Sequence, residues 1–243
     1  MSVLIFGIGG IGRALATRLV ARGTPVHLIA RSADKLQALS AELNNAPFTA
    51  LDCSAPEAVE AGVRALAAAG PLAGLVYAVG SIPLKPLKST SAADFSAAFN
   101  LNFLSAALAV KAAAPALAAG AAPGSVVLFS TVACAQGFPN HAAIAAAKGA
   151  VEAFARSAAA ELCPRVRVNC IAPSLTDTPL AARLTGSEAA RKALGDAHPL
   201  ARLGAAGDAA ALAAFLLDDA SSGWVTGQVW GLDGGRSTLR NKN

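Results

Sequence analysis

The chain has 243 residues, 54% of them hydrophobic, which suits a single compact domain with a sizeable core. Its net charge of +5 comes from Lys and Arg scattered along the sequence beside a single Tyr, a pattern that argues against nucleic acid and suits a phosphate-bearing small molecule. Cys53, Cys134, Cys163 and Cys170 show no CxxC pairing and no metal-like spacing with His27, His141 and His198, so reduced thiols and no metal site are expected.

The chain opens MSVLIFG, without a basic leader or cleavage site. Its most apolar stretch, 106–129, is interrupted by Lys111, Pro115 and a Gly/Pro turn. A soluble cytoplasmic protein with no membrane contact is expected.

From the N-terminus, VLIFG at 3–7 reads as a strand and runs directly into GIGGIGR at 7–13, after which ALATRLVARG has a helical pattern. Gly7, Gly9 and Gly12 fit GxGxxG: glycines allow the tight turn, backbone approach to a pyrophosphate, and close packing of helix on strand. With Gly10 and Ile11 between them, they form the expected dinucleotide cradle. PVHLIA at 25–30 reads as the second strand, and the residues that follow it select between cofactors. An acid there would bond ribose hydroxyls; this chain has Arg31 and Ser32. Arg31 can fork onto a 2′-phosphate and Ser32 can add a hydroxyl, which favours NADP(H), although a solvated Arg that merely ends a strand is the plain alternative.

Further strands are expected at 48–52 (FTALD), 75–79 (LVYAV), 125–130 (SVVLFS), 166–172 (VRVNCIA) and 228–232 (QVWGL), separated by Ala-rich helical runs. Apolar strands alternating with helices imply a doubly wound α/β fold, with a parallel sheet covered on both faces. Ligands in such folds bind beyond the carboxyl ends of the strands.

Taken in order, these motifs resemble the short-chain dehydrogenase/reductase family over nearly the whole chain. Asp52 in ALDCSAPEAV resembles the acid that contacts adenine, and LVYAVG at 75–80 stands where relatives carry LVNNAG, placing Ala78 and Gly80 beside the cofactor. VVLFSTVACAQG resembles the strand bearing the active-site serine, IAPSLTDTP the IAPG-x-x-x-T-P segment, and WVTGQVWGLDGG the closing strand. The resemblance implies a Rossmann-type three-layer sandwich with a seven-stranded parallel sheet, a single NAD(P)-binding domain over 1–243, hydride transfer, and a homodimer or homotetramer packed through two long helices. Ala-rich faces at 103–119 and 142–160 would permit that packing.

In this family a tyrosine exchanges a proton with the substrate oxygen, a lysine four residues on lowers its pKa and holds the nicotinamide ribose, a serine hydroxyl positions the substrate, and an asparagine kinks its helix and keeps a water. By spacing, Asn102 and Lys148 are present, and Thr131 occupies the serine position, thirteen residues before 144. Position 144 is isoleucine, which has no proton to give. Pro173, Thr176 and Thr178 fall where relatives meet the nicotinamide end, with Ser174 in place of the usual glycine. The Gly loop, FGIGGIG, is one residue shorter than the family's TGxxxGxG and lacks its Thr. Tyr77, the one tyrosine, reads as wall packing.

His141, one turn before Ile144, is a candidate proton donor, though Asn140 and His141 also read as a helix start with Asn as N-cap and His exposed. Cys134 reads as a buried small hydrophobe. The stretch 178–200 resembles the substrate lid, and its Ala/Leu content suggests a mostly apolar substrate. Three readings stay open: a reductase or dehydrogenase acting on a small carbonyl, enone or imine without the usual Tyr; a non-catalytic NADP(H)-binding subunit or redox sensor partnering an active homologue; and a scaffold that binds no nucleotide.

Overall fold

The computed structural model describes residues 1–240, so Lys242 and the other two terminal residues of the expected 1–243 domain lie outside the described residues. Six strands alternate with helices: β1 (Ser2–Phe6), α1 (Gly10–Ala21), β2 (Val26–Ala30), α2 (Ala33–Glu42), β3 (Phe48–Ala50), α3 (Pro56–Ala67), β4 (Leu72–Tyr77), α4 (Ala92–Phe99), α5 (Ser105–Ala118), β5 (Gly124–Phe129), α6 (Ala142–Leu162) and β6 (Val166–Pro173). A two-residue pair, β7 (Thr176–Asp177) and β8 (Gly204–Ala205), frames α7 (Glu188–Asp196); then come α8 (Ala206–Leu217) and β9 (Val229–Leu232).

The main sheet has seven strands in the order β3-β2-β1-β4-β5-β6-β9, paired in parallel throughout. Each expected strand is therefore present. Side-chain alternation sorts β1 between two cores: Leu4 and Phe6 join Val59, Val63, Ala109 and Val151 from α3, α5 and α6, while Val3 and Ile5 join Leu15, Leu36 and Ala210 from α1, α2 and α8. Both faces being covered explains the unbroken apolar runs. Edge strand β3 stops at Ala50, two residues earlier than expected, and leaves Phe48 partly exposed.

The order reverses between β1 and β4, so the carboxyl ends of these two strands flank the crevice where doubly wound folds bind ligands. From α4 through a π turn at Asn100–Leu104 into α5, residues 92–118 form one helical run apolar and long enough to span a bilayer by composition; half of its apolar window is buried in this protein. Its buried apolar residues on α5, such as Ala109, Val110 and Leu117, join the core with α3 and β4.

Candidate active site at the sheet switch point

The turn between β1 and α1 is built on backbone. Gly7 adopts φ +86°, which other residues resist, and a Cβ on Gly12 would lie 1.7 Å from the Gly7 carbonyl oxygen, so helix and turn touch with no room for a methyl. Gly9 is the N-cap of α1, with no side-chain bond to the first-turn amides and open space where its own Cβ would point. Free amides at a helix start, beside open space, form an anion cradle of the kind a pyrophosphate fits. Gly10 sits against Thr178, which brings the β6 end to the same cradle.

At the end of β2, Arg31 is exposed, and Ser32 caps α2, its Oγ accepting from Lys35 N at 3.4 Å. That bond uses the oxygen as acceptor and leaves the hydroxyl proton to be donated elsewhere. Asp52 accepts from Ser54 N at 2.9 Å; hydrogen bonding by the Ser54 backbone and side chain, with Arg31 nearby, holds its carboxyl below the ordinary value.

One cavity of about 350 Å³ opens at the switch point. Ile11, Ala78, Gly80, Thr131, Ile144, Lys148, Pro173, Thr176 and Thr178 all line it. Asn102 stands behind this wall: its Nδ2 donates to Ala98 O at 2.8 Å and to Ser81 Oγ at 3.0 Å, and its Oδ1 accepts from Ser81 N at 3.1 Å. The side chain thus takes a helical carbonyl inside the run that contains the π turn, and ties that kink to the chain after β4. Asn102→Ala should cost about 1 to 3 kcal/mol of stability by leaving buried partners unsatisfied, measurable by urea denaturation.

Lys148, in the middle of α6, is buried, and its Nζ donates to Phe129 O at 2.8 Å. Burial pushes its pKa down to about 8, because the charged form loses water. Ile144 lies one turn earlier on the same helix, 4% exposed, and presents only carbon to the cavity. Ser130, which also lines the cavity, donates its Oγ–H to Glu152 Oε1 at 2.6 Å, and its Oγ lies 3.3 Å from Cys134 Sγ. Burial raises the Cys134 thiol, in keeping with an inert side chain.

Tyr77 is buried on Phe6, and its hydroxyl donates to Leu101 O at 2.9 Å; burial pushes the phenol up, consistent with wall packing. The helix start at 140–141 differs from expectation. Asn140 takes a left-handed φ of +68° and its carbonyl accepts from Lys85 N, so it does not cap α6. His141 occupies the N-cap position without a side-chain cap bond; it is half-buried, lines the cavity, and sets Nδ1 2.7 Å from Pro139 O.

The segment 178–200 supplies Leu180, Ala181, Leu184 and Leu194 to the cavity, which Ile82, Leu84 and Phe138 also line. This wall is mostly aliphatic. Arg236, stacked over Phe138 at 5.0 Å, brings a cation to the rim from beyond β9. Sequence reasoning missed Leu84, Phe138 and Arg236, which carry no motif and meet only in three dimensions. It also missed the contact of Ser174 Oγ with His198 Nε2 at 2.8 Å. No cluster that could hold a metal ion is found among the described residues.

A sequence model described as Enoyl-(Acyl carrier protein) reductase matches residues 7–237. An uncharacterized oxidoreductase of Mycobacterium tuberculosis (strain CDC 1551 / Oshkosh) is 33% identical over 240 residues, covering 97% of this chain and 91% of its own. A solved short-chain type dehydrogenase/reductase from Mycobacterium ulcerans is 32% identical, with a TM-score of 0.88 over 99% of this chain and 90% of that one. The structure of ElxO with NADP bound is 26% identical, with a TM-score of 0.88 over 98% of each chain.

Proposed function

The chain belongs to the short-chain dehydrogenase/reductase family, and from that premise we propose that it is an NADP(H)-dependent oxidoreductase that reduces a small, mostly apolar carbonyl, enone or imine without a tyrosine donor. The observation that carries this reading is the gathering of Thr131, Ile144 and Lys148 with Ile11 and Thr178 around one cavity beside the glycine turn. Bound NADP(H) supplies or accepts the hydride. The open, uncapped start of α1 suits its pyrophosphate, and the structure of ElxO shows a relative of this fold with NADP bound.

In this reading Gly7, Gly9, Gly10, Ile11 and Gly12 cradle the pyrophosphate, Asp52 meets the adenine, and Arg31 with Ser32 receives the 2′-phosphate. Ala78 and Gly80 form the backbone wall along the cofactor. Lys148 holds the nicotinamide ribose hydroxyls, and Pro173, Thr176 and Thr178 position the nicotinamide. Thr131 offers its hydroxyl to the substrate oxygen, and Asn102 keeps the neighbouring chain in place. The aliphatic lining from 178–200 selects apolar substrates and acts as a lid. The groove between α4 and α6, bordered by Phe95, Phe99, Ala143 and Ala146, suits burial against a second copy in a homodimer or homotetramer.

Arg31→Ala tests the cofactor assignment. NADPH affinity should fall by about 1 to 3 kcal/mol, the worth of a charged hydrogen bond, while NADH affinity hardly changes. Equal losses for both, read by fluorescence titration, would remove Arg31 from the phosphate site. Ile144 favours a second reading, a non-catalytic NADP(H)-binding subunit or sensor; binding of NADPH without turnover of any ketone, enone or imine would select it.

A further inference from the structure

Behind the main cavity lies a second one of about 240 Å³, and the two share Ser174, Leu175 and Thr176 as a common wall. His198 lines the second cavity, yet is only 2% exposed. Its two nitrogens have different partners: Nδ1 lies 2.8 Å from Leu194 O and Nε2 lies 2.8 Å from Ser174 Oγ. A carbonyl can only accept, so Nδ1 carries the hydrogen. In the neutral ring Nε2 is then the acceptor and the Ser174 hydroxyl the donor. A hydroxyl, an imidazole and a third group that fixes the tautomer form the arrangement that moves protons in nucleophile–base pairs.

The charged groups around His198 are few. Asp233, after β9, interacts electrostatically with the ring. Across the second cavity, Arg202 and Asp208 are paired with each other at 2.6 Å. On α7, Asp196 is paired with Lys192. On the far side of Ser174, the main cavity holds Lys148 and Arg236.

We propose that Ser174 and His198 form a proton relay that serves the main cavity in place of the tyrosine absent from position 144. The proposal rests on the reductase reading. When the ring is cationic, Nε2–H donates to Ser174 Oγ and frees the serine O–H to turn into the main cavity, which Ser174 also lines. The substrate carbon gains the hydride, and the electron pair of its double bond moves to the neighbouring atom. That atom takes the proton of Ser174; Ser174 Oγ takes the proton of His198 Nε2; and His198 returns to neutral until a proton drawn from bulk solvent by way of the second cavity recharges it. Each turnover consumes one hydride and one proton. A glycine at 174 would have no hydroxyl to pass the proton.

The test compares wild type, Ser174→Ala and His198→Gln, each alone and combined with Ile144→Tyr, using NADPH and the best substrate of a ketone, enone and imine panel. The single variants are expected to lose tenfold or more in kcat, with the NADPH Kd unchanged within about twofold. The wild-type rate should rise as pH falls, because the relay needs a protonated donor, and His198→Gln should flatten that dependence. In the Ile144→Tyr background Ser174→Ala should cost less than about twofold, because the phenol then supplies the proton. A similar loss in both backgrounds, or a wild-type pH profile in His198→Gln, would overturn the relay in favour of a structural contact. Nitrogen NMR gives a readout free of turnover: His198 should be the Nδ1–H tautomer, with an Nε2 shift that moves in Ser174→Ala. An Nε2–H tautomer overturns the relay outright. If wild type turns over no member of the panel and Ile144→Tyr does, the relay fails and the family chemistry stands; if neither oxidises bound NADPH, the reductase reading fails first.

Discussion

Ile144→Tyr is expected to raise NADPH-dependent reduction of a simple ketone by roughly 10²- to 10⁴-fold, the span that a positioned general acid contributes. The residue at 144 already faces the cavity, one helical turn from Lys148, and shares its lining with Thr131, so a phenol there would enter the space where a substrate binds. A free phenol titrates near ~10, and an adjacent ammonium favours its ionised form, which brings it towards neutral pH. The cavity of about 350 Å³ leaves room for the ring beside a small substrate. Steady-state rates on a ketone series, with NADPH saturating, provide the measurement. An unchanged rate with intact folding and NADPH binding would mean that Thr131 and Lys148 are not poised for carbonyl reduction.

The second large effect belongs to Lys148, whose ammonium is buried with Phe129 O as its hydrogen-bond acceptor. Lys148→Met keeps the shape of the stem and removes the charge. Two opposite outcomes are expected. On the role proposed for Lys148 at the nicotinamide ribose, NADPH affinity should fall about 10- to 150-fold through the loss of charge-assisted bonds. The unliganded protein should gain about 1 to 3 kcal/mol at pH 7, since a desolvated cation no longer has to be held.

The pH dependence fixes the sign of that second effect. The folded-state pKa of Lys148 lies at about 8, below its ordinary 10.5, so the cost of charging it is fully present below 8 and disappears above 10.5. Within that window the unfolded chain binds more protons than the native one, and this residue makes stability rise with pH. Buried Cys170 and Tyr77 act in the opposite direction at alkaline pH, because burial holds both pKa values high. The wild-type minus Met difference in urea unfolding, measured from pH 7 to 10, isolates the lysine. A difference independent of pH would contradict its desolvated state.

Much of the architecture was legible because the sheet is buried on both faces. β1 and β5 are nearly unbroken apolar runs, and Gly7 to Gly12 announces the first turn because no other residue fits where the Gly7 carbonyl meets α1. The end of β3 was less legible, since an edge strand gains little from burial to mark its limit. Asn140 misled for a physical reason. Asparagine suits both a helix cap and a left-handed turn, and here the link from Lys85 to its carbonyl accompanies the second.

The cavity residues divide in the same way. Thr131, Ile144 and Lys148 follow one another at spacings a strand, a turn and a helix impose, so their meeting could be read along the chain. Ser174 and His198 lie 24 positions apart, joined by the loop that carries α7, and no local period brings them together. Arg236 reaches the rim only because the chain beyond β9 folds back, with Gln136 Nε2 donating to its carbonyl at 3.2 Å. Contacts of that kind depend on how loops return to the sheet, which side-chain pattern does not encode.

The most direct measurement is titration of the purified protein with NADPH and with NADH, followed by oxidation of the bound cofactor against ketones, enones and imines. An NADP(H)-dependent oxidoreductase with Ile at 144 should bind NADPH more tightly than NADH, and oxidise it with at least one class of substrate. Absence of binding by either cofactor would contradict the account at its base and leave a family fold without the family's cofactor.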